Sequence, residues 1–309
     1  MGVSEEKMDL RTVEMDSAYH ATSCEVLDFR RILASVLAAG DNQVIHDPTK
    51  TFPPVVPGVL YDSVAYEGAM LFEIERLADA YGRNPKQVTW MRSRLLRKTY
   101  ANQAAVFHFR NESKNQNRIT VDVVDSSIKI EKNPREALIA SMRIDLSDTA
   151  EPYREERVLR GPFHRFGQEL PYIGGTRFSD LSLYWASVLE GMPTDDYEGD
   201  ERVSPMLAAA RCSHGLIYAM LKSPLGPKED EEAYYADRIL KFYNLSSDLH
   251  LGQLVRETTF LNSKGEQKGD GKRRVTAENL VLTPQGEGIC RVSCTLELQK
   301  RVEAENHKL

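Results

Sequence analysis

The chain reads Gly40-Asp41-Asn42-Gln43-Val44-Ile45-His46-Asp47-Pro48 and continues, after a short proline-containing span, with Pro57-Gly58-Val59-Leu60. The first stretch brings an acidic side chain and a histidine close together in a predicted loop. Pro57-Gly58 then opens a helical pattern, and the first N–H groups of a helix have no acceptor within that helix. A carboxylate, an imidazole and free N–H donors together suit proton transfer beside a carbonyl group, where a base, an acid and an oxyanion donor are needed at once. An ordinary turn is the alternative, because Gly-Asp-Asn and Asp-Pro are common in loops.

These residues resemble the signature of the MaoC-like hydratase/dehydratase family, which has the hotdog fold. That signature reads roughly Gly-Asp-x-Asn-Pro-hydrophobic-His-x-Asp-Pro, with His-Gly or Pro-Gly later at the start of the central helix. Asp41 and His46 keep the family spacing. Gln43 and Val44 stand where the family usually has Asn and Pro, and the span between His46 and Gly58 is shorter. The resemblance implies a hotdog fold and acid/base chemistry on an acyl thioester.

Composition sets broad limits on the function. The chain has 309 residues, of which 41% are hydrophobic and 28% charged, as in ordinary soluble domains, and its length allows one large domain or two smaller ones. The net charge of −6 predicts no nucleic-acid partner, and no apolar run is long enough for a membrane span. The four cysteines form no disulfide framework, which favours a reducing compartment and a cytoplasmic location. The C-terminal His307-Lys308-Leu309 gives only a weak peroxisomal hint.

The two halves of the chain share a pattern that indicates a duplication. Ala34-Ser35-Val36-Leu37 recurs as Ala186-Ser187-Val188-Leu189, and each copy ends an apolar helical stretch. A polar, proline-containing loop follows in both halves. A second helical pattern then opens, at Pro57-Gly58 in the first half and at His214-Gly215 in the second. Repetition at about half the chain length predicts two units of one architecture.

After each second helix, the hydrophobic period changes from 3.6 residues to two, which indicates strands. In the second half, the acidic segment from Pro227 to Tyr235 is expected to be a surface loop or short helix. A long helix followed by several antiparallel strands, twice over, predicts an α+β fold. Each sheet is expected to curl around one helix, because its concave face buries that helix's apolar stripe. The predicted fold is therefore a double hotdog, with two tandem units that each wrap a long central helix in an antiparallel sheet.

A charged segment without apolar period, at about residues 148–165, is the predicted linker between the units. We divide the rest of the chain into an N-terminal arm (1–19), hotdog unit 1 with the candidate site (20–147) and hotdog unit 2 (166–309). Hotdog units normally pair, so an intrachain pseudo-dimer is expected. The sequence does not decide whether two chains also form a homodimer.

The family resemblance implies three site residues in unit 1. His46 is the expected general base, because an imidazole titrates near neutral pH. Asp41 is its expected acid/base partner, and the N–H of Gly58 is the expected oxyanion donor at a helix N-terminus. Unit 2 has no histidine in the corresponding loop at residues 189–197, so we predict that unit 2 is non-catalytic and supplies an acyl-binding wall.

Three further residues are secondary candidates. Gln43 occupies the altered motif position. Asp62 resembles the helical acid that follows Pro-Gly-Val-Leu in acyl-carrier-protein dehydratases, although it lies one position short of that pattern. His214 resembles the family's His-Gly helix start, and a structural role is the alternative for it.

The leading functional hypothesis is hydration or dehydration of a β-hydroxyacyl (enoyl) thioester by a hydro-lyase. The altered motif leaves room for isomerisation or cyclisation in polyketide-like secondary metabolism. The alternatives are an acyl thioesterase and a non-catalytic acyl-binding or partner subunit. The expected ligand is an acyl-CoA, an acyl-carrier-protein-bound substrate or a derived free small molecule. No nucleotide or metal motif is present, so neither a cofactor nor a metal is predicted.

Overall fold

The computed structural model describes residues 14–17, 20–41, 43–47, 50–77, 85–112, 117–128, 134–152, 172–177, 182–188, 203–229, 231–243, 249–250, 252–261, 266–267 and 273–300. Within these residues the helices are α1 (Phe29–Ala39), α2 (Gly58–Leu77), α3 (Pro134–Ala137), α4 (Ser182–Val188) and α5 (Pro205–Lys222), together with a 3-10 turn at Val44–His46. None of the described helices is long and apolar enough to cross a membrane.

Polar residues define the ends of the helices. The Asp28 side chain accepts the N–H of Arg31 at 2.9 Å and so caps the start of α1. Ser204 caps α5 in the same way through the N–H of Met206, at 3.2 Å, and a proline follows the cap, where its missing N–H costs nothing.

Twelve strands of the described chain form one antiparallel sheet. They are β1 (Glu14–Ser17), β2 (His20–Val26), β3 (Gln87–Leu95), β4 (Ala104–Asn111), β5 (Arg118–Asp125), β6 (Leu138–Ser147), β7 (Tyr172–Arg177), β8 (Glu231–Phe242), β9 (Leu254–Leu261), β10 (Glu266–Gln267), β11 (Arg273–Leu282) and β12 (Gly288–Lys300). The order across the sheet is β1-β2-β4-β5-β6-β3-β8-β12-β11-β9-β7, with β10 paired to β11.

The strands of the two sequence halves meet where β3 pairs with β8. Met91 lies opposite Leu240 and Ser93 lies opposite Arg238 in this antiparallel pair. On either side of the junction, the order β2-β4-β5-β6-β3 is mirrored by β7-β9-β11-β12-β8. The two halves therefore contribute matching sets of strands to one continuous sheet, as the duplicated pattern predicts.

The sheet buries the long helices on one face. Alternate residues of the strands are buried, as in β4, where Phe107 and Phe109 are fully covered beneath α2. Contacts across the halves tie the helices together. Arg31 of α1 donates from Nε to the carbonyl of Ser187 at 2.9 Å and from Nη2 to that of Val188 at 2.7 Å, so it caps the end of α4. The repeated Ala-Ser-Val segment lies within these two helices, which pack against each other.

One sequence prediction about the second half was wrong. The acidic segment at 227–235 was expected to be a surface loop or short helix, but strand β8 begins at Glu231. The charge of Glu231 is neutralised across strands, because Arg273 of β11 forms an ion pair with it at 2.5 Å. At the other end of the chain, β1 extends the sheet to Glu14, inside the predicted N-terminal arm. Most of the predicted linker lies outside the described residues.

Candidate active site

The end of α1 fixes the position of Asp41. Gly40 adopts the left-handed conformation, with φ of 68°, and donates its N–H to the carbonyl of Leu37. The N–H of Asp41 reaches back to the carbonyl of Val36 at 2.9 Å, as is usual where a glycine ends a helix. The Asp41 carboxylate then accepts the N–H of Gln43 at 3.1 Å. Helix cap and turn together hold a carboxylate that is only 2% exposed.

The 3-10 turn places His46 opposite the segment that leads into α2. Val55 donates its N–H to the carbonyl of Ile45 at 2.8 Å, and the carbonyl of Val55 lies 2.7 Å from Nδ1 of His46. Because a carbonyl oxygen can only accept, this contact assigns the hydrogen to Nδ1. In the neutral ring, the lone pair of Nε2 is therefore available to take a proton.

Asp41 and His46 face each other, as the family resemblance implies. Nε2 of His46 lies 3.7 Å from Oδ2 of Asp41, and both side chains are buried. This distance is too long for a hydrogen bond, and an ionised carboxylate has no proton to donate, so the lone pair of Nε2 stays free of Asp41. It is short enough for the carboxylate to stabilise a positive charge on the ring once the ring is protonated.

Gly58 begins α2 beside the same turn. Its N–H is one of the first in the helix and has no acceptor within it. A Cβ atom at this position would lie 2.4 Å from Cδ1 of Leu95 and 3.8 Å from Cδ2 of Tyr235. Only glycine therefore fits without a shift of the Leu95 side chain, and the backbone stays open to a ligand.

A cavity of about 200 Å³ connects these groups and is built from both halves of the chain. The first half provides His46, Gly58 and residues 95–99, and the second half provides residues 233–236, Glu297 and Gln299. Gln43 also lines the cavity. Asp41 does not line it, although its Oδ2 lies 3.7 Å from Nε2 of His46, so the two predicted catalytic residues differ in their access to a ligand.

Comparisons with known proteins identify the architecture. Neither a protein-family model nor a curated protein sequence matches the chain. Among solved structures, a MaoC-like dehydratase aligns over 90% of this chain and 97% of its own, with a TM-score of 0.56 and 9% identity. A Mycobacterium tuberculosis protein described as a double hotdog aligns over 89% and 94%, with a TM-score of 0.53 and 10% identity. This chain has the double-hotdog fold.

A third similar structure is a larger enzyme. The full-length peroxisomal multifunctional enzyme type 2 from Drosophila melanogaster aligns over 91% of this chain and 48% of its own, with a TM-score of 0.50 and 9% identity. Sequence identities at this level establish the fold, and the reaction has to be inferred from the residues of the site.

In the double hotdog described here, α2 and α5 are the two long helices that the sheet wraps.

The structure places Asp62 away from the cavity of the double hotdog. This carboxylate is fully buried on α2, and Oδ2 lies 2.6 Å from Nη1 of Arg238 on β8. Burial raises the pKa of Asp62, and the Arg238 guanidinium acts in the opposite direction. Asp62 follows the cavity-lining Tyr61 by one residue, which turns it by about 100° around the helix. Asp62 therefore lies at the junction between the halves and not in the cavity lining.

His214 does not start a helix, which corrects the resemblance drawn from His-Gly. The helix begins at Pro205, and His214 lies well inside it. The serine cap and the proline after it determine that start, and they outweigh the His-Gly pair. The side chain of His214 and the loop at 189–197 lie outside the described residues.

Two cavity residues carry no motif and were missed in the sequence. The hydroxyl groups of Tyr61 and Thr99 lie 2.5 Å apart and share a hydrogen bond beside Gly58. Burial raises the pKa of Tyr61, so its phenol stays neutral. The position of Tyr61, three residues after the helix start, was the one available signal, because residues three apart share a helix face.

The second half of the double hotdog contains a buried carboxyl group of its own. Glu257 of β9 is 5% exposed and points at Gly215 of α5, where a Cβ atom would lie 2.0 Å from Oε1. Burial raises the pKa of Glu257 to about 7, against the opposing effects of the Gly215 N–H and Arg211. The folded chain therefore holds this proton more tightly than the unfolded chain does.

This difference predicts a pH-dependent stability. A raised carboxyl pKa means that stability falls as pH rises from about 4.5 to about 7. Glu257→Gln should therefore stabilise the protein at pH 8 by on the order of 3 kcal/mol and change little near pH 5. Urea unfolding at both pH values measures this, with Glu229→Gln as the exposed carboxyl control. An equal gain at both pH values would rule out the titration of Glu257 as the cause.

Proposed function

We propose that this double hotdog is a MaoC-like hydro-lyase that adds water to, or removes it from, an acyl thioester. The observation that carries the proposal is that His46 and Gly58 line one cavity, with the Asp41 carboxylate beside His46 but not hydrogen-bonded to its Nε2. Residues 20–147 would carry this site, and residues 166–309 would supply its opposite wall. We propose that unit 2 has no catalytic role of its own.

In the dehydration direction, Nε2 of His46 removes the proton from the carbon next to the thioester carbonyl. The carbonyl oxygen then gains negative charge, which the N–H of Gly58 stabilises at the positive end of the α2 dipole. The protonated ring returns its proton to the hydroxyl group on the next carbon. That carbon–oxygen bond breaks, the double bond forms and water leaves. Hydration follows the same steps in reverse.

Asp41 has an indirect role in this mechanism. Because it does not line the cavity, we assign it the stabilisation of the protonated His46 ring and not direct contact with the leaving hydroxyl group. Gln43 lines the cavity, and we propose that its side chain binds the substrate hydroxyl group.

Two assays on the purified chain separate the candidate reactions. Incubation with crotonyl-CoA should lower the enoyl absorbance, and a thiol reagent should detect no free CoA. Thiol release without hydration would support a thioesterase instead. Acyl-CoA binding with neither reaction would support a non-catalytic acyl-binding subunit.

The proposed role of the Gly58 N–H as oxyanion donor can be tested by a substitution that removes this N–H. Gly58→Pro removes this N–H and should slow hydration by about 10²–10³ if the group binds the oxyanion. Proline is tolerated at the first position of a helix, so the fold should survive. Gly58→Ala is the matched control, because it introduces the same contact with Leu95 and keeps the N–H. Equal rates in the two variants would dismiss the oxyanion role.

A further inference from the structure

A β-bulge in β8 places Tyr235 and Arg238 on the same face of the sheet. In the β8–β12 ladder, Arg238 lies opposite Cys294 and Tyr235 lies opposite Leu296. A step of two residues along β12 therefore matches a step of three residues along β8, and Ala236 is the extra residue. Without a bulge, residues three apart point to opposite faces. Bulges of this kind are common beside active sites, where they redirect a side chain.

Arg238 is held between the two halves. Its guanidinium and the Asp62 carboxylate form an ion pair in which neither side chain is more than 2% exposed. The guanidinium also lies over the ring of Tyr235, 4.9 Å from the ring centroid. A buried cation attracts the face of an aromatic ring. The Tyr235 ring therefore lies against a buried cation that is itself paired with the Asp62 carboxylate.

The ring of Tyr235 lines the part of the cavity next to Gly58, the proposed oxyanion donor. It lies near Gly58, 3.8 Å from where a Cβ atom would be, so a thioester carbonyl bound to the Gly58 N–H would have Tyr235 as its neighbour. The cavity volume of about 200 Å³ is below the range of roughly 300–1,000 Å³ found for drug-sized ligands. With the Tyr235 ring as part of its wall, a cavity of this volume has room for a short acyl chain but not for a long one.

We propose that Tyr235 is a specificity-determining residue that limits the length of the acyl chain, and that Asp62 and Arg238 are its positioning residues. The inference rests on the proposed function for the class of ligand, an acyl thioester. It gives the second half of the chain a defined part in the site, and it gives Asp62 a role that acts through Arg238.

The test is the equilibrium binding of butyryl-CoA and octanoyl-CoA, measured by isothermal titration calorimetry. The wild-type protein should bind butyryl-CoA more tightly. In Tyr235→Ala the affinity ratio of octanoyl-CoA to butyryl-CoA should rise by about tenfold or more, since a few methylene groups in an apolar pocket have this effect. Tyr235→Phe keeps the ring and should keep the wild-type ratio. Tyr218→Ala, on the exposed side of α5, is the control for loss of a tyrosine.

The positioning role needs a variant that folds. Asp62→Leu combined with Arg238→Met replaces the ion pair with apolar side chains of similar size, which is often tolerated in a protein core. The Tyr235 ring then loses its cation, and the affinity ratio should move in the same direction as in Tyr235→Ala, by about threefold. A folded double variant with the wild-type ratio would remove the positioning role.

The outcomes separate this inference from the proposed reaction. An unchanged ratio in Tyr235→Ala, or no binding of either probe to the wild-type protein, overturns the role of Tyr235. Hydration of crotonyl-CoA together with an unchanged ratio would leave the proposed reaction standing alone. A shifted ratio without hydration would support Tyr235 as the wall of an acyl-binding site and refute the hydro-lyase.

Discussion

Replacing His46 with alanine is expected to lower kcat/KM for crotonyl-CoA hydration by about 10²–10⁴, the usual contribution of a positioned proton-transfer group. The structure supports this expectation because the Nδ1–H of His46 is held by the carbonyl of Val55, which leaves Nε2 as the base. The rate is measured as the loss of enoyl absorbance. Circular dichroism and urea unfolding should show that the variant is folded.

The controls for His46 distinguish catalysis from loss of a histidine. His250→Ala removes an exposed histidine outside the cavity lining and should leave the rate unchanged. Asp41→Asn should also slow hydration, because the protonated ring loses its negative neighbour. Combining His46→Ala with Asp41→Asn should cost little more than the worse single change, since the two act as a unit. Near-normal turnover in His46→Ala would end the acid/base proposal.

Asp62→Ala is expected to lower the free energy of unfolding by about 3–5 kcal/mol. The change leaves the Arg238 guanidinium, 2% exposed, without its counter-charge, and uncompensated buried charges are costly at this level. The nearby acid raises the pKa of Arg238, although burial acts against it, so the group stays charged in the folded protein. Urea unfolding monitored by tryptophan fluorescence measures the loss.

A more exposed ion pair at the same β3–β8 junction provides the matched control. Arg92 binds Asp237 through two hydrogen bonds, of 3.0 and 2.5 Å, but its side chain is 38% exposed. Arg92→Ala should cost no more than about 1 kcal/mol, because water screens such pairs. The Asp62→Leu, Arg238→Met double variant should recover most of the stability lost in Asp62→Ala. If it is as unstable as the single variant, the cost does not come from an unpaired charge.

Much of the fold was predictable because its signals are local. The change of hydrophobic period predicted a long helix followed by strands in each half, and α2 followed by β3 to β6, and α5 followed by β8 to β12, have this order. Strand β8 was missed because its charged start resembles a solvated loop. Its partners on β3 and β12 are distant in the chain, so local composition could not indicate that this strand lies at the centre of the sheet.

The residues of the candidate site also differ in whether a local sequence motif could reveal them. Asp41 and His46 lie five positions apart in a turn, and Gly58 opens the next helix, so a motif could suggest that they meet. Of the secondary candidates, Gln43 lines the cavity, whereas the two helical residues do not occupy the places that the resemblance implied. Asp62 faces the other half of the protein, and His214 lies inside α5.

The sequence by itself determined the α+β duplication, the helix end at Gly40, and the loop that holds Asp41 and His46. These features depend on hydrogen bonds and periodicity within a few residues of the chain. Only the tertiary structure decided that Tyr235 lines the cavity beside Gly58 and that Arg238 pairs with Asp62. Those contacts require β3 and β8 to join across the two halves and a bulge at Ala236 to turn the ring inward, and strand register between distant segments leaves no local trace in the sequence.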